Sequence, residues 1–279
     1  MRVTVLILAC DEALHIARAI RSCAPFAERV VVVDSGSLDA TREQARAAGG
    51  EVWENPWPGY AAQINWALDR LRAEGGTGQV MRLDADEWVT ADLAAEIAAR
   101  PEHHHAGFTV KRHIVFLGKR VRFGGVGALR HLRIFRLSHA RCEARAMDEH
   151  MVVEGPVGAL AGAIVDECLK PLDWWIAKHV GYAAREARDL AEGAFAPPSG
   201  RHAARRRRAK AWLYAPLPPG LRAGLYFLYR FVLRGGLFDG PEGRAYHVLQ
   251  GFWYRYLVDV KLQAQRRAAG DAAHREGSA

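Results

Sequence analysis

Along the first ninety positions, apolar residues alternate between short continuous runs and wider-spaced stripes. Val3 to Leu8 and Val30 to Val33 are runs rich in β-branched side chains, the pattern of central strands in a parallel sheet buried on both faces. Between them Ala13, Ile16, Ala17 and Ile20 recur at i, i+3, i+4 and i+7. This spacing predicts a helix with one face on the sheet and Arg18 and Arg21 toward water. Thr41 and Gln44 stand at capping-box spacing before a second helix that runs through Ala45 and Ala48 to Gly49-Gly50. A strand at Glu51 to Trp53, a helix over Ala61 to Leu71 and a strand at Val80 to Leu83 follow.

Strands alternating with helices imply an open α/β sheet, mostly parallel and flanked by helices, with right-handed crossovers. Ligands of such sheets sit at the carboxyl ends of the strands. Here those ends read Ala9-Cys-Asp-Glu12, Asp34-Ser-Gly-Ser37 and Asp84-Ala-Asp86, so three acidic groups are expected at one edge. From Gly107 to Val165 further strand-like stretches, Phe108 to Lys111 and Leu132 to Leu137, surround the link Phe123-Gly-Gly-Val-Gly127. Beyond Asp173 the pattern is helical, broken at Pro197-Pro-Ser-Gly200.

At 279 residues, half of them hydrophobic, the chain is too large for a hormone or disulfide-knotted module and too apolar for a disordered one. Its net charge of +8 is unevenly placed: residues 1 to 200 carry 24 Lys and Arg against 26 Asp and Glu, residues 201 to 279 carry 15 against 5. A basic tail on a neutral domain points to a polyanionic surface, nucleic acid or membrane. The four cysteines are far apart with no CxxC pair, which suits a reducing cytosol. The strand-like run begins at once, without a signal-peptide pattern, so the chain is expected to stay inside the cell.

Two carboxylates at a strand end, Asp84 and Asp86, can share a hard divalent cation, Mg²⁺ or Mn²⁺, with phosphate oxygens; they can equally be turn residues capping a helix near Asp92. Asp34 can accept from a base imide or ribose hydroxyl, with Gly36 allowing close backbone approach, or close an ordinary Asx turn. No GxGxxG follows the first strand, which disfavours a dinucleotide-binding enzyme. Lys111, Arg130 and Arg133 are candidates for phosphate or an anionic acceptor, or are simply solvated, and His103-His-His105 reads as an exposed loop.

In order along the chain, Leu8-Ala-Cys-Asp-Glu12, Val31 to Thr41, Asn55 to Asn65 and Leu83-Asp-Ala-Asp-Glu87 resemble the successive motifs of family 2 glycosyltransferases. More narrowly, these motifs resemble the branch of lipopolysaccharide core β-1,4-glucosyltransferases, and the resemblance covers most of the chain, including the later segments Asp148 to Gly158, Trp174 to Tyr182 and Arg234 to Gly240. It implies a GT-A-like domain over residues 1–165 and a helical, membrane-associating region over 166–279. It further implies that Glu12, Asp34, Ser35 and Gly36 hold the nucleotide, with Leu8 near the base and Asp84 on the ribose side. Asp86 would bind the Mg²⁺ or Mn²⁺ that bridges the diphosphate of a nucleotide-sugar donor. Glu149, with Asp148 as the alternative, would be the base that takes the acceptor proton in an inverting transfer; the same acidic pair can also cap a loop or bind arginine. Asn65, Lys111 and Arg130 are the expected substrate contacts. Two departures from the family pattern are Asp11 in place of the usual Asn and Ile64 where relatives place Lys.

The tail combines Arg205 to Arg208 with an amphipathic stretch from Leu221 to Leu233. Thirteen helical residues reach about 20 Å, short of the roughly 30 Å hydrocarbon thickness, so the chain is expected to lie on an anionic membrane surface and not cross it. The same stretch can instead pack on the catalytic domain or a second subunit. A lipid-linked saccharide such as lipopolysaccharide core, at the cytoplasmic face of the membrane, is the acceptor the resemblance implies. The alternatives are a non-catalytic nucleotide-binding protein and a basic nucleic-acid-binding one; the acidic strand ends argue against nucleic acid.

Overall fold

The computed structural model describes residues 3–76, 78–100, 105–127, 129–143, 151–191, 218 and 220–276. The chain divides into two compact units, one formed by residues 1–122 and 126–170, the other by 123–125 and 171–279.

The first unit is an α/β sandwich. Its elements are β1 (Val3–Ala9), α1 (Ile16–Cys23), β2 (Ala27–Asp34), α2 (Thr41–Ala47), β3 (Glu51–Glu54), α3 (Tyr60–Ala73), β4 (Gln79–Asp84), β5 (Glu87–Val89) and α4 (Ala91–Ala99). Then come β6 (Gly107–Phe116), β7 (Lys119–Val121), β8 (Arg130–Arg136), β9 (Ala140–Cys142), β10 (Met151–Val153) and β11 (Val157–Glu167). Among the described residues nine strands join in the order β3-β2-β1-β4-β8-β6-β11-β5, with β7 on β6, while β9 and β10 pair separately. The β3-β2-β1-β4 half is parallel throughout, as the alternation of strands and helices predicts. Beyond β4 the sheet becomes mixed, because β8 enters antiparallel to both β4 and β6.

Strand periodicity builds two cores, one on each face. Val5 and Ile7 of β1 meet Ile16, Ile20 and Leu93 on one side, and Leu6 meets Ile64, Leu68 and Leu71 of α3 on the other. Ile64, one of the two departures, is thus a fully buried core residue, a place where a lysine would be costly. The stripe of α1 settles on Ile16, Ala19, Ile20 and Cys23, and Arg18 is half-buried in a pair with Glu167 instead of facing water. The capping box at Thr41 does not form. The hydroxyl of Thr41 accepts from the Glu12 amide and donates to Asp39, a tertiary demand that overrides the local one.

In the second unit α5 (Leu172–Ala191) packs on α8 (Tyr254–Glu276) through Ala183, Ala187, Tyr254, Val258 and Leu262. Between them α6 (Leu221–Leu228) runs on as a π-helical segment over Tyr229–Leu233, and α7 (Pro241–Tyr246) continues as another over His247–Trp253. Among the described residues no helix is long and apolar enough to cross a membrane. Arg205 to Arg208 lie outside the described residues, as do His103 and His104.

Candidate functional site at the carboxyl edge of the parallel strands

The register of β1 decides where the acidic strand ends go. Ala9 pairs with Asp34 of β2, and Leu8 pairs with Asp84 of β4, so the two aspartates flank the end of β1 at the same edge. Neighbouring strands lie about 4.8 Å apart, which puts the two Cα atoms roughly 10 Å from each other. Asp86 follows within two residues, half-buried in the turn between β4 and β5. The cap of α4 is Thr90, whose Oγ1 accepts from the Leu93 amide at 3.3 Å, so neither aspartate is needed for that task.

The loops after β1 and β2 are stapled to each other. The amide of Asp11 donates to Ser37 Oγ at 2.9 Å, that of Glu12 to Thr41 Oγ1 at 2.7 Å and that of Ala13 to Asp39 Oδ2 at 3.1 Å, while Asp11 Oδ1 accepts from the Leu38 amide at 2.7 Å. Asp11 has φ +54°, the left-handed region that Asn and Asp tolerate best, so the exchange of Asn for Asp at this position keeps the required backbone. Asp34 is fully buried. Its Oδ1 accepts from the amides of Gly36 (3.1 Å) and Ser37 (3.0 Å) and its Oδ2 from the Ser37 hydroxyl, an Asx turn in which Gly36 takes φ +92°. Ser35 accepts from Nε2 of the buried Gln63, which also holds Asn55.

Glu12 is bound on both oxygens, by Nδ1 of His15 at 2.6 Å and Nζ of Lys170 at 2.9 Å. Nε2 of His15 accepts from the Leu169 amide at 2.7 Å, which leaves the ring proton on Nδ1 to be donated to Glu12. Burial alone would raise Glu12, but these two hydrogen bonds outweigh it and hold the carboxylate below its usual range.

Asp84 is held differently. Its Oδ1 accepts from Tyr60 at 3.2 Å and its Oδ2 faces Arg133 and Arg82, each at 3.5 Å; its backbone amide donates to Glu87 Oε2 at 3.0 Å. Arg133, itself buried, closes the group by donating to Glu87 Oε1 at 2.5 Å. Burial would raise Asp84, yet Arg82, Arg133 and Arg112 hold it well below the ordinary carboxylate range. Burial pushes Glu87 up to about 8, with Arg133 opposing and Asp84 adding to the rise, so Asp84 carries the charge at neutral pH.

The remaining candidates divide. Lys111 pairs with Arg130 in the β6–β8 ladder, and Arg130 donates to the Leu160 carbonyl at 2.8 Å. With Arg112 beside Asp166 they make this half of the edge basic where the β1–β2 half is acidic. The side chain of Asn65 anchors β9: its Oδ1 accepts from the Cys142 amide and its Nδ2 donates to the Cys142 carbonyl, both at 2.9 Å. Asp148 and Glu149, with His150, lie outside the described residues. The sequence reading passed over Arg82, Glu87, Tyr60 and Gln63 as site residues. Arg82 was legible, since it stands two positions before Asp84 and so on the same face of β4; the partnership of Glu87 with β8 was not.

Among the described residues no group of three or more His, Cys, Asp and Glu side chains gathers around a metal position. Asp84 faces arginines, and Asp86 is the carboxylate in the turn that follows it at the same edge. That donor set fits an ion bound through one or two carboxylates plus substrate phosphates and water, as Mg²⁺ is, and does not fit a dedicated protein cage.

The sequence profile described as "Glycosyl transferase family 2" matches residues 4–147, just over half the chain. The chain belongs to glycosyl transferase family 2. The chain is similar to an uncharacterized glycosyltransferase of Rickettsia typhi, 30% identical over 121 residues that make up 42% of this chain and 40% of the relative. Another, of Rickettsia felis, is 34% identical over 96 residues, 34% of this chain and 32% of the relative. The chain therefore matches about a third to two-fifths of the length of these relatives. Among solved structures it is similar to a mannosyltransferase from Pyrobaculum calidifontis in complex with GDP-Man and Mn²⁺ (TM-score 0.47, 17% identity, 94% of this chain and 87% of that one). It is also similar to glucosyl-3-phosphoglycerate synthase from Mycobacterium tuberculosis with Mn²⁺, UDP and glucosyl-3-phosphoglycerate (TM-score 0.43, 18% identity, 71% of this chain and 82% of that one).

Proposed function

We propose that the chain is an inverting, metal-dependent hexosyltransferase. It would move a sugar from a nucleotide donor, a UDP-sugar, to a lipid-linked saccharide such as lipopolysaccharide core, at the cytoplasmic face of the membrane. The observation that carries the reading is the β1 register, which sets Asp34 and Asp84 on either side of Leu8 and Ala9. In this proposal residues 1–165 are the catalytic domain and 166–279 the membrane-associating region.

The nucleoside would lie across the β1 end, with its base toward the stapled loops of Glu12 and Asp34 and its ribose toward Asp84. Because the Asp34 oxygens are already engaged, a base imide reaches that carboxylate by taking the place of the Ser37 hydroxyl. Ser35 and Gly36 then offer backbone at close range. Asp86 would hold Mg²⁺ or Mn²⁺, and the ion when bound supplies charge neutralisation for the leaving diphosphate. Glu149, or Asp148 beside it, would take the acceptor proton from the opposite face. Lys111 and Arg130 on the basic half would meet an anionic part of donor or acceptor.

A thermal-shift panel of UDP-, GDP-, ADP- and dTDP-sugars, with and without Mn²⁺, tests the donor site. The UDP-sugar with Mn²⁺ is expected to stabilise the chain most, and Asp86→Asn to abolish the metal-dependent part while leaving the unliganded melting temperature in place. Glu149→Gln should keep the shift and lose transfer. No stabilisation by any nucleotide sugar would overturn the proposal.

A further inference from the structure

From the second unit we infer that the outer face of α6, the two π-helical segments and the start of α8 is a docking surface for an anionic lipid bilayer. The inference rests on the proposed membrane-associating region, 166–279, and names the face of it that meets the lipid. The helix over 221–233 is inside out. Leu221, Leu225, Leu228, Tyr229 and Val232 recur at helical spacing and are all exposed, whereas the opposite side is buried and carries Arg230, 5% exposed. Arg230 is satisfied inside the unit, donating to Gln250 Oε1 and to the Gly124 carbonyl at 3.3 Å. A helix facing water would place these residues the other way round.

The neighbouring helix repeats the pattern. Val248, Phe252, Tyr256 and Val260 follow each other every fourth residue on the exposed side, while His247, Tyr254, Val258 and Asp259 are buried. Phe252 stacks on Tyr256 and contacts Phe227 of the first helix, so the two rows join into one apolar surface. At the turn between them Leu233 and Phe238 are 76% and 71% exposed, the two that stand out furthest. Scattered exposed leucines are ordinary, but a continuous face of this kind marks an interaction site.

Charge selects the occupant. Arg234 beside Leu233 and Arg244 one turn before Val248 are exposed at the rim of the face, and residues 201–279 carry an excess of ten positive charges. Two copies placed face to face would bring these charges together, whereas an anionic surface attracts them. An apolar face with arginines at its margin is the arrangement of a helix lying in the headgroup region.

The test is co-sedimentation of the full chain with vesicles of phosphatidylcholine alone or mixed with phosphatidylglycerol. Binding is expected to the mixed vesicles. It should fall by about tenfold or more in the double variant Leu233→Ser, Phe238→Ser and in a second variant, Leu225→Ser, Leu228→Ser. Arg234→Gln with Arg244→Gln should weaken the preference for the anionic lipid. The nucleotide-sugar thermal shift should persist in every variant, which separates a lost surface from a lost fold. Absence of wild-type binding, or serine variants that bind like wild type, would overturn the inference. So would light scattering that finds a dimer which the serine variants break apart in a chain that ignores vesicles. Vesicle binding without any nucleotide-sugar shift would instead strike the proposed activity and leave this surface standing.

Discussion

Replacing Arg133 by Met removes a buried cation that faces both carboxylates of the β4 end. Arg133 donates to Glu87 at 2.5 Å and faces Asp84 at 3.5 Å, and Glu87 is itself buried. Breaking a buried pair by removing one partner costs about 3–5 kcal/mol when the other must stay charged. Glu87 has an escape, because burial already pushes it up to about 8 and loss of the guanidinium raises it further. At pH 6 the Glu87 carboxyl holds its proton in both proteins, and the variant loses mainly the hydrogen bond from the guanidinium, about 2 kcal/mol. At pH 9 the wild-type carboxylate is ionised and paired, whereas that of the variant keeps its proton or ionises unpaired, which adds about 1.4 kcal/mol to the loss. The wild-type sign agrees: an acid held at about 8 when folded and at its ordinary 4.5 when unfolded binds its proton more tightly in the folded chain. Its contribution to stability therefore falls as pH rises from 4.5 toward 8. Hydrogen exchange of the β1 and β4 amides at pH 6 and pH 9 reads the first unit alone, and adding Glu87→Gln to the Met variant should recover much of the loss at high pH. A cost below about 1 kcal/mol, or one equal at the two pH values, would refute the pairing.

Two further outcomes are expected. Asn65→Ala strips the partners from both backbone groups of the buried Cys142, which should cost about 2–4 kcal/mol and speed alkylation of the Cys142 thiol, with donor binding retained; unchanged labelling would count against the anchor. Gly124→Ala places a Cβ 2.2 Å from Cε1 of His247 at φ +67°, so it should destabilise the second unit by about 3 kcal/mol, read as increased exchange in α7 and not in β1.

How much of this was legible beforehand depended on the range of the interaction concerned. The strands ending at Ala9, Asp34 and Asp84 and the helix of α3 followed from period and length, because sheet faces and helix stripes are written in consecutive residues. From those ends and the rule for parallel sheets, the acidic edge followed too. The mixed half of the sheet did not, since the antiparallel entry of β8 is set by residues fifty positions from β4. The same range hid the fate of single side chains. The bonds of Asn65 to β9, of Thr41 to the β1 loop in place of a helix cap, and of Arg133 to Glu87, where phosphate or solvent were its candidate partners, are all of this kind.

The amino-acid order by itself determined which elements form, which strand ends carry acid and where the positive charge collects, because each is a local sum of residue properties. Only the tertiary structure decided which polar groups remain for a ligand and which are consumed by the fold, and that the apolar stripe of residues 221–233 points outward. Period alone says that a helix has two faces; what packs against one of them says which is buried, and here Arg230, hydrogen-bonded to Gln250 and Gly124, holds the inner place.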